Sequence, residues 1–488
     1  MLKVDNNLKA GYIAVFITAA GLYAATCAPG SLWQDSGMYQ YRIWHSDIEG
    51  NLGLALSHPL YHIIGIGVKH IRLGEFAHRI NLISAVAAAL TIANLFLLLR
   101  LWLNKLLPAV IAAAALAFSH TFWRHAVIAE TYTLYTALLL TELLILLQYV
   151  KTRRLVFLYL LGLFNGLAAA NHMLAAISFV CYLVFCIALL VRRQIRLRHF
   201  GIIVLLWVIG TAPYGYLILK NIIQTGSFTA TLASALFGKS WQADVLNVGL
   251  SAQLIKENLI LMAYNFPTPN VVFFFAGLYG LKKVSPSNGF VKVLLALLIL
   301  FFVFAFRYTV PDRYAFFIPF YCLASVLIGV GFDLLITGPK RKILCWIVFL
   351  FALLPIPTYI IAPAIAEKAG FDISTRADVS YRDDYIWFLQ PWKAGYSGAE
   401  KFADEVFEIL EPGAVVYADN TMVYPLLYMQ EVKGKKADIR IISEYAGSEG
   451  VPLLSEKSIE QWLLEGDVYA VSPVAGGKRR GIVWKIVN

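Results

Sequence analysis

Charge is scarce in this sequence. Of 488 residues only 15% are Asp, Glu, Lys or Arg, against 59% hydrophobic residues and a mean hydropathy of +0.67. So little charge excludes a soluble surface over most of the chain, and so much apolar material excludes intrinsic disorder. Cysteine is scarce too. The five residues Cys27, Cys181, Cys186, Cys322 and Cys345 all sit in apolar runs, which excludes a disulfide scaffold and points to burial rather than metal binding. No internal repeat relates one half to the other, and this speaks against an alternating-access transporter or flippase, where two related halves are common.

The net charge of +11 is unevenly placed: 27 Lys/Arg against 11 Asp/Glu in residues 1–362, and 14 against 19 in residues 363–488. The basic excess lies in short runs between apolar stretches, at Lys151/Arg153/Arg154, Arg192/Arg193/Arg196/Arg198, Lys282/Lys283 and Lys340/Arg341/Lys342. That is the pattern of cytoplasmic loops in a multi-pass membrane protein, and it accounts for the charge without nucleic acid. Crossing the hydrocarbon layer takes about 17 to 25 apolar residues. Read by length, the chain has eleven such stretches, at 10–28, 79–99, 106–120, 131–150, 155–170, 173–191, 200–219, 260–281, 290–306, 315–337 and 343–362. With Lys3 and Lys9 in the cytoplasm every basic run falls on that side, and the region from residue 363 falls outside. The first stretch reads as an uncleaved anchor rather than a secretory signal.

The fold expected is therefore an all-α polytopic bundle over residues 1–362 with a small soluble α/β domain over 363–488. In the latter, Ala414 to Tyr417, a helical run to Gln430 and Ile439 to Ile442 read as strand, helix, strand. Ser455 to Leu464 reads as a helix, with strands near 467–472 and 481–487. Residues 29–78 carry Trp33, Tyr39, Tyr41, Trp44 and Tyr61, aromatics suited to helices lying along the membrane surface.

On this topology the acids of the membrane region gather on the outer face, so the chemistry is expected there. Asp35, in Trp33-Gln34-Asp35-Ser36-Gly37, is the first candidate, placed to meet both a lipid headgroup and a soluble acceptor. In Ser57-His58-Pro59-Leu60-Tyr61-His62 the two histidines share a helix face, as a metal pair or as interface residues bonded to backbone or water. Arg124 and Glu130 lie at the outer apolar boundary, where charge must be paired or face a polar cavity. Arg313, in the short outer loop Arg307 to Tyr314, can bind a lipid phosphate or simply snorkel. Glu142 sits deeper and needs a partner or a proton.

Taken in order, Asp35-Ser36-Gly37, Ser57 to Tyr61, Arg79-Ile80-Asn81, Trp123 to Glu130-Thr131-Tyr132, and Gly166 to Asn171-His172 resemble the protein O-mannosyltransferase-like membrane family of the GT-C glycosyltransferase superfamily. The resemblance implies an enzyme taking a sugar, mannose, from a polyprenyl phosphate by inverting transfer to a hydroxyl. Protein Ser/Thr is the favoured acceptor and a lipid or polysaccharide the alternative. It carries the base onto Asp35 and makes His58, Glu130, Tyr132, Asn171 and His172 further site candidates. For the phosphate, Arg313, Arg124 and Arg79 supply the available positive charge. Two departures, Met38 where the family usually has an acid and a shortened His58-Pro59, weigh against a two-carboxylate metal site in this loop; a divalent metal stays open as cofactor. The C-terminal domain is expected to select the acceptor, so that its removal spares donor binding. The implied setting is the plasma membrane, N-terminus inside and C-terminal domain outside.

Overall fold

The computed structural model describes residues 6–239, 241–310, 312–373, 379–444 and 455–486; Lys3 lies outside them. It is mostly helical. Six helices are long and apolar enough to cross a membrane: Asn6–Thr26, Phe76–Leu103, Tyr132–Thr152, Asn288–Arg307, Arg313–Leu335 and Arg341–Lys368. Three bent pairs raise the count to nine if each is one span: Leu106–Ala117 with His120–Ala126 (72°), Leu197–Gly210 with Ala212–Thr225 (72°), and Ala252–Asn265 with Pro269–Val284 (109°). Eleven crossings are therefore not reached among the described residues. Val156–Asn171 and Ala175–Val191, which the apolar runs suggested as crossings, are shorter apolar helices of 16 and 17 residues. The stretch 260–281 straddles a break at Phe266-Pro267-Thr268-Pro269, where proline removes a backbone donor and cannot continue a helix.

The bundle packs closely through small residues. A side chain at Gly331 would run into the Phe273 carbonyl, and one at Gly277 into that of Leu327, so helices Val272–Gly280 and Ile318–Leu335 touch backbone to backbone. Gly166 and Gly210 do the same for Val156–Asn171 and Leu197–Gly210. Without a hydrophobic drive between helices in lipid, such close approach is what dispersion forces require. Large apolar side chains such as Ile17, Leu205, Val208 and Trp346 point outward, as a lipid-facing surface does. All five cysteines are free, and only Cys345 is not buried.

Beyond the bundle a five-stranded sheet forms from β1 (Val415–Tyr417), β2 (Arg440–Ile442), β3 (Val468–Ala470), β4 (Gly477–Arg480) and β5 (Val483–Ile486), in the order β2-β1-β3-β5-β4. β1 runs parallel to β2 and β3, and β5 antiparallel to β3 and β4. The sequence pattern identifies every strand but β4, whose Gly-Lys-Arg-Arg has no apolar alternation to mark it.

The C-terminal region does not stand apart from the bundle. One apolar core runs from Leu32 and Trp33 through Phe402 and Tyr424 to Val483. The outer helix Gln34–Trp44, expected along the membrane surface, is instead largely buried between the two parts: Gln40 Nε2 donates to Asn81 Oδ1 (2.9 Å) on the bundle side, and the Gln34 N–H donates to the Thr421 carbonyl (3.3 Å) on the other. Sequence periodicity cannot show what covers a helix from a segment hundreds of residues away. Full burial of a Trp, Phe or Tyr contributes about 1.5 to 3 kcal/mol, and total stability is only about 5 to 15. Deleting residues 375–488 is thus expected to cost the folded outer face and donor binding together. Size-exclusion behaviour and lipid-phosphate binding check it; a monodisperse truncation with native donor affinity would restore the division of labour read from the sequence.

Candidate active site

Asp35 opens the helix Gln34–Trp44. The turn into it is tightly specified: Trp33 is buried and its indole N–H donates to the Tyr396 hydroxyl, while Gln34 takes a left-handed φ of 52°. A Cβ at Gly37 would strike the Leu32 carbonyl and sit 2.9 Å from Tyr424 Cβ. The glycine of the Asp-Ser-Gly triplet thus lets this helix seat against the C-terminal region with Asp35 at its first turn.

Asp35 keeps part of its surface open, although its surroundings are crowded. Crowding strips water from its carboxyl, and the nearby charge of Asp312 adds to the effect, so its pKa is pushed up to about 7. Asp312 is itself raised by loss of hydration, although water reaches it more freely. The third acid, Glu130, is buried between His120–Ala126 and Tyr132–Thr152; desolvation first, then Asp35 and Asp312, hold its carboxyl well above the usual range, and Arg124 only partly offsets them. The structure thus brings Asp35 and Glu130 together and adds Asp312, which sequence reasoning passed over. Its signal was an acid in a short outer loop, masked by the neighbouring Arg313.

The three arginines part company. Arg313 forms an ion pair with Glu257 and donates from Nε to Asn258 Oδ1 (3.3 Å). Arg79 donates to the carbonyls of Leu73 (3.1 Å) and Gly74 (3.0 Å) in its own loop. Arg124 is buried and has no carboxylate partner among the described residues. It donates to the Trp387 carbonyl and lies over the rings of Trp387 (5.0 Å), Phe388 (5.1 Å) and Tyr314 (5.8 Å), with Nε unbonded. Lys393, also buried, sits 5.0 Å over the other contact of that cage, the Trp387 ring, and burial followed by the charge of Arg124 drives its pKa well down. Two basic groups buried side by side make each other's ionisation costly. Trp387 lies 263 residues from Arg124 and Lys393 further still, and no sequence signal linked them.

The remaining candidates gather around His172. The His58 ring lies 4.9 Å from that of His172, and His172 lies 5.0 Å from Tyr132. His58 Nδ1 bonds the Asn171 carbonyl (2.8 Å), and Asn171 Nδ2 donates to the Thr131 carbonyl (3.0 Å). Arg42, on the Asp35 helix, donates to the carbonyls of Leu56 (3.3 Å) and Ser57 (3.1 Å), fixing the loop that presents His58. His62 instead turns away to the His58 carbonyl (3.0 Å). No group of three or more His, Cys, Asp or Glu among the described residues is gathered so as to hold a metal ion.

Residues 55–196 match the family model described as the protein O-mannosyl-transferase TMEM260 N-terminal domain. Among solved structures, the fold is similar to ArnT from Cupriavidus metallidurans bound to undecaprenyl phosphate, at a TM-score of 0.63 and 14% identity, covering 98% of either chain. It is also similar to the archaeal oligosaccharyltransferase AglB from Archaeoglobus fulgidus in complex with an inhibitory peptide and a dolichol-phosphate, at a TM-score of 0.50 and 16% identity, covering 96% of this chain and 70% of that one. No curated protein matches by sequence. The resemblance to protein O-mannosyltransferases is thus shared by the family model over residues 55–196, and the fold of the chain is similar to that of ArnT.

Proposed function

We propose that this GT-C-type chain is an integral membrane glycosyltransferase that moves a sugar, mannose by resemblance, from a polyprenyl phosphate to a hydroxyl, foremost a protein Ser or Thr, outside the cytoplasm. The observation that carries this reading is the buried pair of basic side chains, Arg124 and Lys393, that share the Trp387 ring with Arg124 Nε unbonded, near the three outer acids Asp35, Glu130 and Asp312. The lipid phosphate bound in the ArnT structure is the kind of anion such a pair would take. We assign the phosphate to Arg124 with Lys393, ahead of Arg313 and Arg79, whose guanidinium groups are already engaged by Glu257 and by loop carbonyls.

In the reaction, the Asp35 carboxylate takes the acceptor hydroxyl proton as that oxygen bonds the anomeric carbon. The bond from that carbon to the phosphate oxygen breaks on the opposite side, and the configuration inverts. Arg124 and Lys393 stabilise the charge that collects on the departing phosphate, in a pocket where aromatic rings exclude water and strengthen the interaction.

Purified protein incubated with a panel of radiolabelled polyprenyl-phosphate sugars and membrane extract is expected to transfer label from one of them. A folded preparation inert toward all would overturn the assignment. For orientation, cysteines placed at Arg153 and Gly398 are expected to label from the cytoplasm and from outside respectively, since all basic runs then lie inside. Cytoplasmic labelling at Gly398 would reverse the topology.

A further inference from the structure

His58 and His172 have their protonation fixed by the backbone in opposite senses. The Asn171 carbonyl can only accept, so His58 Nδ1 must carry a proton (2.8 Å). The Leu174 N–H can only donate, so His172 Nδ1 must be bare (3.1 Å). Burial holds both rings neutral near pH 7, His58 down to about 4 and His172 well below its ordinary value. It follows that Nε2 of His58 is a lone-pair acceptor and Nε2 of His172 an N–H donor. Neither Nε2 makes a hydrogen bond among the described residues, and the two residues keep only 7% and 8% of their surface accessible.

The arrangement is held at a cost. His58 takes a left-handed φ of 47° immediately before Pro59, a conformation unfavourable for a residue with a side chain. Arg42 pins the two preceding carbonyls, and Asn171 supplies the tether while itself anchored to Thr131. Strain maintained by three separate contacts is a sign that the ring orientation is used. Aromatic rings wall the pair: Tyr39 stands edge-on to His58 (5.9 Å), Tyr132 packs on His172 (5.0 Å) and Phe316 meets His172 edge-on (6.0 Å). Tyr39 belongs to the Asp35 helix and feels the charges of Glu130 and Asp35, which puts the pair on the wall of the acid cluster.

A neutral acceptor and a neutral donor side by side match one group in particular, a hydroxyl, which donates once and accepts at the same oxygen. A phosphate oxygen would find one favourable partner and one repulsive lone pair. Resting on the glycosyl-transfer reading above, we propose that His58 and His172 together recognise one hydroxyl of the donor sugar and so select which sugar is transferred.

The test uses purified full-length protein with polyprenyl-phosphate mannose and its 2-, 3-, 4- and 6-deoxy analogues. In the native protein one analogue is expected to lose on the order of 10²-fold in kcat/KM, because its missing hydroxyl leaves two buried polar atoms unpaired. In His58→Leu and His172→Leu that one discrimination should collapse to within a few-fold while the other analogues keep their ranking; His58→Gln, which retains an acceptor, should preserve part of it. If either Leu variant fails to fold, by melting temperature or size exclusion, the Gln variant and Arg42→Lys, which loosens the His58 loop, carry the comparison. An unchanged deoxy profile in folded variants would overturn the sugar assignment, and a profile that changes only toward acceptor hydroxyl analogues would reassign the pair to the acceptor. Absence of transfer from every polyprenyl-phosphate sugar by native protein would instead overturn the glycosyltransferase reading itself.

Discussion

Asp35→Asn is expected to lower turnover at saturating donor on the order of 10²- to 10⁴-fold with fold and donor binding retained. Asparagine keeps the size and hydrogen-bonding reach of the carboxylate but cannot take the acceptor proton. Asp35 is preferred over Glu130 because of where each sits: Glu130 is buried, and desolvation and two neighbouring acids hold its carboxyl well above the usual range, whereas Asp35 is pushed up only to about 7, near the working pH of a general base. The sign follows. Only the ionised form accepts a proton, so kcat/KM should rise with pH through the region near 7 and level off above it. Asp312→Asn removes a neighbouring negative charge and should move that rise to lower pH. The discriminating comparison is Asp35→Asn beside Glu130→Gln: near-normal turnover for the first with collapse only for the second would transfer the base to Glu130.

Arg124→Ala is expected to weaken binding of a polyprenyl phosphate by roughly 10- to 150-fold, the equivalent of about 1.5 to 3 kcal/mol for one charge-assisted contact. Arg124→Lys should not restore it, because the planar guanidinium packed against Trp387 and Phe388 has no counterpart in a point-charge ammonium. Lys393→Met, close to isosteric in a buried setting, should weaken the lipid phosphate in the same sense without opening the cage. Arg313→Ala should do less to donor affinity, its charge being met by Glu257. Equilibrium binding of the lipid phosphate to variants matched for melting temperature decides this. A larger loss at Arg313 than at Arg124 would return the phosphate to the order read from the sequence.

Much of the molecule is written in runs of local composition. Apolar length marks the membrane helices, alternation marks four of the five strands, and basic clusters imply an orientation. Asp35 was reachable because its motif is contiguous and its loop follows an apolar stretch directly. The count of crossings was less legible: Val156–Asn171 and Ala175–Val191 are apolar but only 16 and 17 residues long, and hydropathy is blind to direction.

The solvent each segment prefers follows from its own residues, since transfer free energy is a property of side chains taken one at a time. Tertiary structure alone decided how charges share space. Asp312 raises Asp35 and Lys393 shares a cage with Arg124 because Coulomb energy and desolvation depend on separation and surroundings. Neither quantity is encoded along the chain. The same holds for the two histidines, alike as letters, which become an acceptor and a donor only when the Asn171 carbonyl and the Leu174 N–H are folded against them.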